Sequence, residues 1–263
     1  MSASYQDLAS HASVKRLEVI GNQVLILGNS LEVMPTLGRF DAVVTDPPFS
    51  ERTHKGHDAG AQEGRDGVKR ATLGYGALTE EAAADLARHF SDLCSGWTVW
   101  MTDHTLAPAI ARALEAEGRY VFAPLPFHQP GRSVRLSGDG PSSWTDWIIV
   151  SRTAAQMRWG TLRGGYIAGE GWADKQRMGG KPLPLMMQII DDYTRHGQTV
   201  LDPFLGGGTT AVACEKMGRF CTGIEIDPEA FDRACKRVDE AARQPDLLIP
   251  ETRHAPVQEG FDL

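Results

Sequence analysis

The tetrapeptide Asp46-Pro47-Pro48-Phe49 follows directly on an apolar run, 41–45, of strand character. The carboxyl end of a strand is where open α/β sheets place their ligands. Two successive prolines fix φ and donate no backbone hydrogen bond, so the turn is stiff and its carbonyls are free. An aromatic amine is a poor nucleophile because its lone pair is delocalised into the ring. An Asp46 carboxylate and a Pro47 carbonyl, each accepting one N–H of such an amine, would draw the nitrogen toward tetrahedral geometry. Its lone pair would then face an electrophile, with positioning and electrostatics supplying the catalysis and no covalent intermediate. Phe49 could stack on an extruded base, worth roughly 1–3 kcal/mol. The competing reading is a rigid strand-ending turn with Phe49 in the core.

A second constellation begins at Thr199-Val200-Leu201-Asp202-Pro203-Phe204-Leu205 and continues through Gly206, Gly207, Gly208, Thr209 and Thr210. It reads as strand, tight turn and helix. The glycines let the backbone approach a ligand closely and take positive φ, and the helix start presents unpaired N–H groups. Another apolar strand follows and ends near Glu225, where a carboxylate can accept from both hydroxyls of a ribose. Three ligand classes compete for this loop. A phosphate loop needs Lys before Ser/Thr, and Gly208-Thr209 lacks it. A dinucleotide site wants G-x-G-x-x-G, which these residues fit poorly. A nucleoside without phosphate, such as S-adenosylmethionine, needs the carboxylate and the close backbone alone, and it fits best. A purely structural glycine turn is the alternative.

The elements that must position these residues alternate in type. Short apolar runs predict strands at 23–27, 41–45, 98–101, 120–123, 146–150, 199–201 and 219–226, several of them continuous enough for burial on both faces of a parallel sheet. Amphipathic stretches predict helices at 80–94, 106–117, 184–196, 209–217 and 229–243, with starts marked by Thr79 before acids and by Asp227-Pro228. The alternation predicts a doubly wound α/β fold, a mostly parallel sheet with helices on both faces.

Two stretches break the rhythm. Residues 50–77 are rich in Gly, His, Lys and Arg, and read as a flexible functional loop. His54 and His57 within it are taken as solvated, since a metal site needs more ligands at suitable spacing. Residues 151–180 intersperse Trp159, Tyr166 and Trp172 with arginines, which suits either base stacking with phosphate contact or a small core plug. Asp103-His104 could line the site, or Asp103 could cap the helix that follows.

With 263 residues and 41% hydrophobic content, the chain has enough for one large core and is read as a single domain. No apolar run approaches the roughly 20 residues that span a bilayer, and residues 1–13 lack the basic and apolar regions of a signal peptide, so a cytoplasmic protein is expected. The four cysteines match no zinc spacing and read as buried thiols, and no metal is expected. A net charge of −7 is awkward for a nucleic-acid binder. Residues 132–181, however, carry eight Lys/Arg against four acids, while 225–263 carry ten acids against five bases. A basic middle and an acidic rear suit a protein that meets DNA with one face.

The chain resembles the beta-class DNA amino-methyltransferases. Their (D/N/S)-P-P-(Y/F/W) motif is met by Asp46 to Phe49, and their D-P-F-x-G-x-G-T-T motif by Asp202 to Thr210. The order, catalytic motif first, is that of the beta class and opposite to that of protein-glutamine and many RNA amino-methyltransferases. Lys181-Pro182 is similar to the K-P segment leading into the family's cofactor strand. Leu27-Gly28-Asn29-Ser30-Leu31 is similar to its L-x-G-D-x-L segment, with Asn29 in place of Asp. The resemblance covers roughly residues 22–50 and 97–242. It implies S-adenosylmethionine contacts at Asn29, Lys181, Asp202, Phe204, Gly206, Gly208, Thr209, Thr210 and Glu225, and catalysis by Asp46, Pro47, Pro48 and Phe49. It implies methyl transfer to the exocyclic amine of a DNA base. Asp with Phe is commoner among the adenine-N6 enzymes, and Ser at the first position marks many cytosine-N4 enzymes. Cytosine N4 is the alternative substrate, and a non-catalytic DNA-binding subunit is the alternative role. Such enzymes carry a target-recognition insert before the Lys-Pro segment, for which 151–180 is short. Either recognition is relaxed, or the 50–77 loop and a second subunit of a homodimer complete it.

Overall fold

The computed structural model describes residues 8–51, 76–132, 140–155, 159–169 and 180–244. Most of the 50–77 loop, part of the 151–180 segment with Trp172, and the acidic tail beyond residue 244 lie outside the described residues.

Continuous apolar runs make the sheet's middle, because strands covered on both faces have no solvent side to mark with polar residues. Every residue of β2 (Gln23–Gly28) is buried, β3 (Phe40–Thr45) and β9 (Thr199–Asp202) are nearly so, and β10 (Phe220–Glu225) buries Cys221, Gly223 and Ile224. These strands run parallel in the spatial order β2-β10-β9-β3, and β3 pairs onward with parallel β4 (Cys94–Thr102). Antiparallel pairing begins on both sides. β1 (Val14–Ile20) forms a hairpin with β2, and beyond β4 lies antiparallel β7 (Thr145–Arg152), which pairs antiparallel with β5 (Tyr120–Val121) and β6 (Leu125–His128), while β8 (Tyr166–Ile167) runs parallel to β6.

Period-two alternation divides the core. Leu25 and Leu27 of β2, with Ala42 and Val44 of β3, face α4 (Leu183–Tyr193), α5 (Thr209–Met217) and α6 (Pro228–Arg243). Val24, Ile26 and Val43 face the opposite layer, α2 (Glu80–Leu93) and α3 (Ala107–Ala116). A helical turn, α1 (Ser30–Val33), follows β2. The two predicted helix starts are in place. The Thr79 side chain accepts from the Ala82 N–H at 3.2 Å, and Asp227, ahead of Pro228, accepts from the Ala230 N–H at 2.9 Å.

The strand list is longer than the seven predicted. β1, β6 and β8 were not foreseen, and the run expected at 120–123 is paired only over Tyr120–Val121. β1 is a solvent-facing edge and β6 carries Pro126, so neither bears a buried-strand pattern.

Candidate active site

β3 and β9 are adjacent and parallel, with Val43 opposite Leu201. The chain therefore leaves both strands at the same end of the sheet, through Asp46 on one side and Pro203 on the other. The Thr45 hydroxyl donates to Asp202 Oδ1 at 2.9 Å, across 157 positions of sequence. The Phe204 N–H donates to the same oxygen at 3.1 Å. Burial pushes the Asp202 carboxyl up to about 6, against the hydrogen bonds from Thr210, Thr45 and Phe204.

The turn beyond Asp202 is shaped by two left-handed glycines, Gly206 at φ +55° and Gly208 at φ +80°. A β-carbon on Gly208 would lie 2.9 Å from the Ala234 Cβ, so α6 closes this turn from behind and α5 starts from it. Arg237 of α6 donates to the Gly207 carbonyl and, at 3.2 Å, to the Thr209 hydroxyl. On the next strand Glu225 accepts from the Gly206 N–H at 2.7 Å through Oε2. Through Oε1 it accepts from Ile226 at 2.9 Å and Asp227 at 2.8 Å. Burial raises the Glu225 carboxyl, and those backbone donors oppose the rise. Ile226 beside it is 56% exposed.

Lys181 lies at the catalytic turn. Its ammonium donates to both carboxylate oxygens of Asp46, at 2.8 Å each, and sits 4.6 Å from the Phe49 ring centroid. Asp146, at the start of β7, has Oδ2 3.6 Å from the same ammonium, and Arg132 bridges to its other oxygen at 2.5 Å. Burial pushes the Asp46 carboxyl up; Lys181 opposes the rise and Asp146 adds to it. Burial draws Lys181 down, and the two carboxylates outweigh it to leave the ammonium above its ordinary value. Pro47 is buried and Pro48 half-buried. Just past the turn, Ser50 donates to Asp103 through its N–H at 2.9 Å and its hydroxyl at 2.5 Å, while the other Asp103 oxygen accepts from the N–H groups of Thr105 and Leu106. Asp103 thus ties Ser50 to the turn that leads into α3, whose N-cap is Leu106 rather than Asp103.

Asn29 stands apart from this cluster of contacts. Its amide oxygen accepts from the Leu31 N–H at 3.1 Å and its nitrogen donates to Glu32 at 3.2 Å, so it caps α1. Ser30 next to it donates to the Pro203 carbonyl and joins the end of β2 to the glycine turn.

The described part of the aromatic and basic segment packs against the protein. Trp159 lies against Trp97 and donates to the Asp192 carbonyl at 2.6 Å, and buried Tyr166 donates to Asp192 Oδ2 at 2.8 Å. Arg163 pairs with Asp192, as Arg132 does with Asp146 and Lys181 with Asp46. Three cations of the basic stretch are therefore paired with carboxylates, Lys181 buried and Arg132 and Arg163 at the surface; Arg135, Arg158, Lys175 and Arg177 lie outside the described residues. A cavity of about 350 Å³, bordered by Trp97, Phe122, Trp159 and Tyr193, is lined by none of the candidate residues.

Residues 169–236 match the family model described as DNA methylase. The resemblance to the DNA amino-methyltransferases holds. Over 70 residues the chain is 40% identical to the Type II methyltransferase M2.DpnII of Streptococcus pneumoniae, covering 27% of this chain and 26% of that protein. The matched part spans about a quarter of the curated relative's length. Among solved structures, the M1.HpyAVI–SAM complex superposes with a TM-score of 0.60 at 22% identity, over 82% of this chain and 98% of that one. The PvuII DNA methyltransferase (cytosine-N4-specific) reaches 0.65 at 14% identity, over 85% and 89%. These likenesses give the fold, an α/β architecture shared with the M1.HpyAVI and PvuII proteins.

Sequence reading singled out the two motif turns, and it placed Lys181 among the cofactor contacts, whereas the structure pairs that ammonium with Asp46. It missed Asp146, Arg132 and Arg237, isolated charged residues whose partners are set only by the folded chain.

Proposed function

We propose that the chain transfers the methyl group of S-adenosylmethionine to the exocyclic amine of a base in DNA, adenine N6 in preference to cytosine N4. The observation that carries this is the Thr45–Asp202 bond, which holds the catalytic turn and the glycine turn side by side at one end of the sheet. Charge supports the choice of ligand. Asp46, Asp202 and Glu225 put three carboxyl groups along the two turns, an arrangement that suits a cationic ligand better than a pyrophosphate. S-adenosylmethionine supplies a methyl group on a cationic sulfur and carries an ammonium besides. Glu225 retains lone pairs for ribose hydroxyls, and the glycine turn admits close approach of its backbone. Asp46 and the Pro47 carbonyl accept from the amine, and Phe49 stacks on the base.

Cytosine N4 is the second reading, supported by the likeness to the PvuII enzyme. Chromatography of nucleosides from DNA incubated with protein and cofactor decides between them. N6-methyladenine is expected; N4-methylcytosine alone overturns the adenine assignment, and no methylated base overturns the function. A homodimer belongs to the same proposal, as the means of completing a short recognition segment. Light scattering at assay concentration tests it, and a monomer mass rejects it.

A further inference from the structure

We infer that Lys181 holds the seat of the incoming amine until the base arrives, and that Asp146 is the acceptor onto which its ammonium then shifts. The inference rests on the functional reading above. One cation occupies both surfaces a target base needs: the two oxygens of Asp46 at 2.8 Å and the face of Phe49 at 4.6 Å. An ammonium has three donors and only two are spent on Asp46. Asp146 Oδ2 stands 3.6 Å away, just beyond bonding distance.

Asp146 is built to receive it. Its side chain is 8% exposed, Arg132 holds Oδ1 at 2.5 Å, and the Gln129 amide reaches Oδ2 at 3.3 Å, so the carboxylate is fixed in place. Lys181 precedes Pro182, whose φ is −61°, at the entry to α4, so the side chain can move while the backbone stays. Two carboxylates and two cations, Asp46, Asp146, Lys181 and Arg132, balance in charge, and the shift leaves that balance unchanged. It also withdraws an ammonium from the amine as that nitrogen becomes cationic on gaining the methyl. Lys181 and Asp146 are thereby positioning residues: one keeps Asp46 ionised and oriented, the other clears the seat.

The test is a double-mutant cycle on methyl transfer from radiolabelled S-adenosylmethionine to DNA of a methylation-deficient host, at alkaline pH so that Asp46 remains ionised without its lysine. Asp146→Asn is expected to lower kcat roughly tenfold, with the KM for S-adenosylmethionine changed less than about twofold. In a Lys181→Met background the same substitution should change kcat less than about twofold, because no ammonium remains to be moved. Equal losses in both backgrounds would mean a structural role and overturn the inference. Asp146→Ser repeats the removal if the asparagine variant melts below the assay temperature. Absence of transfer by the unaltered chain overturns the functional reading itself, and this inference with it.

Discussion

Thr45 and Asp202, on neighbouring strands but 157 positions apart, share a hydrogen bond of 2.9 Å that couples the two motif turns. Both residues are buried. Thr45→Val keeps the shape and removes the donor, leaving a buried carboxylate short of a partner. The expected loss is about 1–3 kcal/mol of folding stability, read as a lower midpoint in urea, and Thr45→Ser should retain most of it. A valine variant as stable as the parent would show that the bond contributes nothing.

Asp46→Ala removes the carboxylate proposed to grip the amine while leaving Asp146 within reach of Lys181. Methyl transfer is expected to fall by roughly 10²–10³ in kcat, the scale of one preorganised polar group. Calorimetric binding of S-adenosylmethionine should persist. A variant that transfers methyl at the parental rate would remove Asp46 from the chemistry.

Glu225→Gln replaces an acceptor-only group by one whose amide nitrogen must face a backbone N–H, because Glu225 now accepts from Gly206, Ile226 and Asp227 through both oxygens. Hydrogen bonds to a charged group are worth about 1.5–3 kcal/mol, so cofactor affinity should drop by roughly tenfold or more in a calorimetric titration. Unaltered affinity would place the ribose elsewhere.

Folding stability should depend on pH in a direction set by Asp202. Its carboxyl is raised by burial to about 6 from an ordinary 3.8, so the folded chain holds this proton more tightly than the unfolded chain does. The stabilisation is complete below the ordinary value and is lost as pH rises through about 6. Asp46 and Glu225 are raised as well and add in the same direction. The melting temperature of the cofactor-free protein should therefore fall between about pH 4 and pH 6, and less so in Asp202→Asn. Identical slopes for the two proteins would contradict the shift at Asp202.

The central strands were legible because burial on both faces writes itself as an unbroken apolar run, as in Val24-Leu25-Ile26-Leu27. The helix starts at Thr79 and Asp227 were legible because capping is local chemistry. The two motif turns were legible because proline and glycine constrain the backbone wherever they stand. Asp146 was not: inside β7 it is one acid among apolar residues, and only the pairing of β7 with β4 brings it to Lys181. Trp159 and Tyr166 were ambiguous for a related reason. Whether an aromatic beside an arginine meets a base or a core depends on what lies opposite, and here that is Asp192.

The interleaved strand order also bears on how the molecule is made. β9 and β10 sit between β2 and β3 yet are translated after them. A nascent chain that has emerged only as far as β8 has two apolar ribbons whose intervening partners are still to be synthesised. Until those strands emerge, the sheet has bare edges that invite aggregation, so maturation in the cell should lean on chaperones that shield half-made sheets.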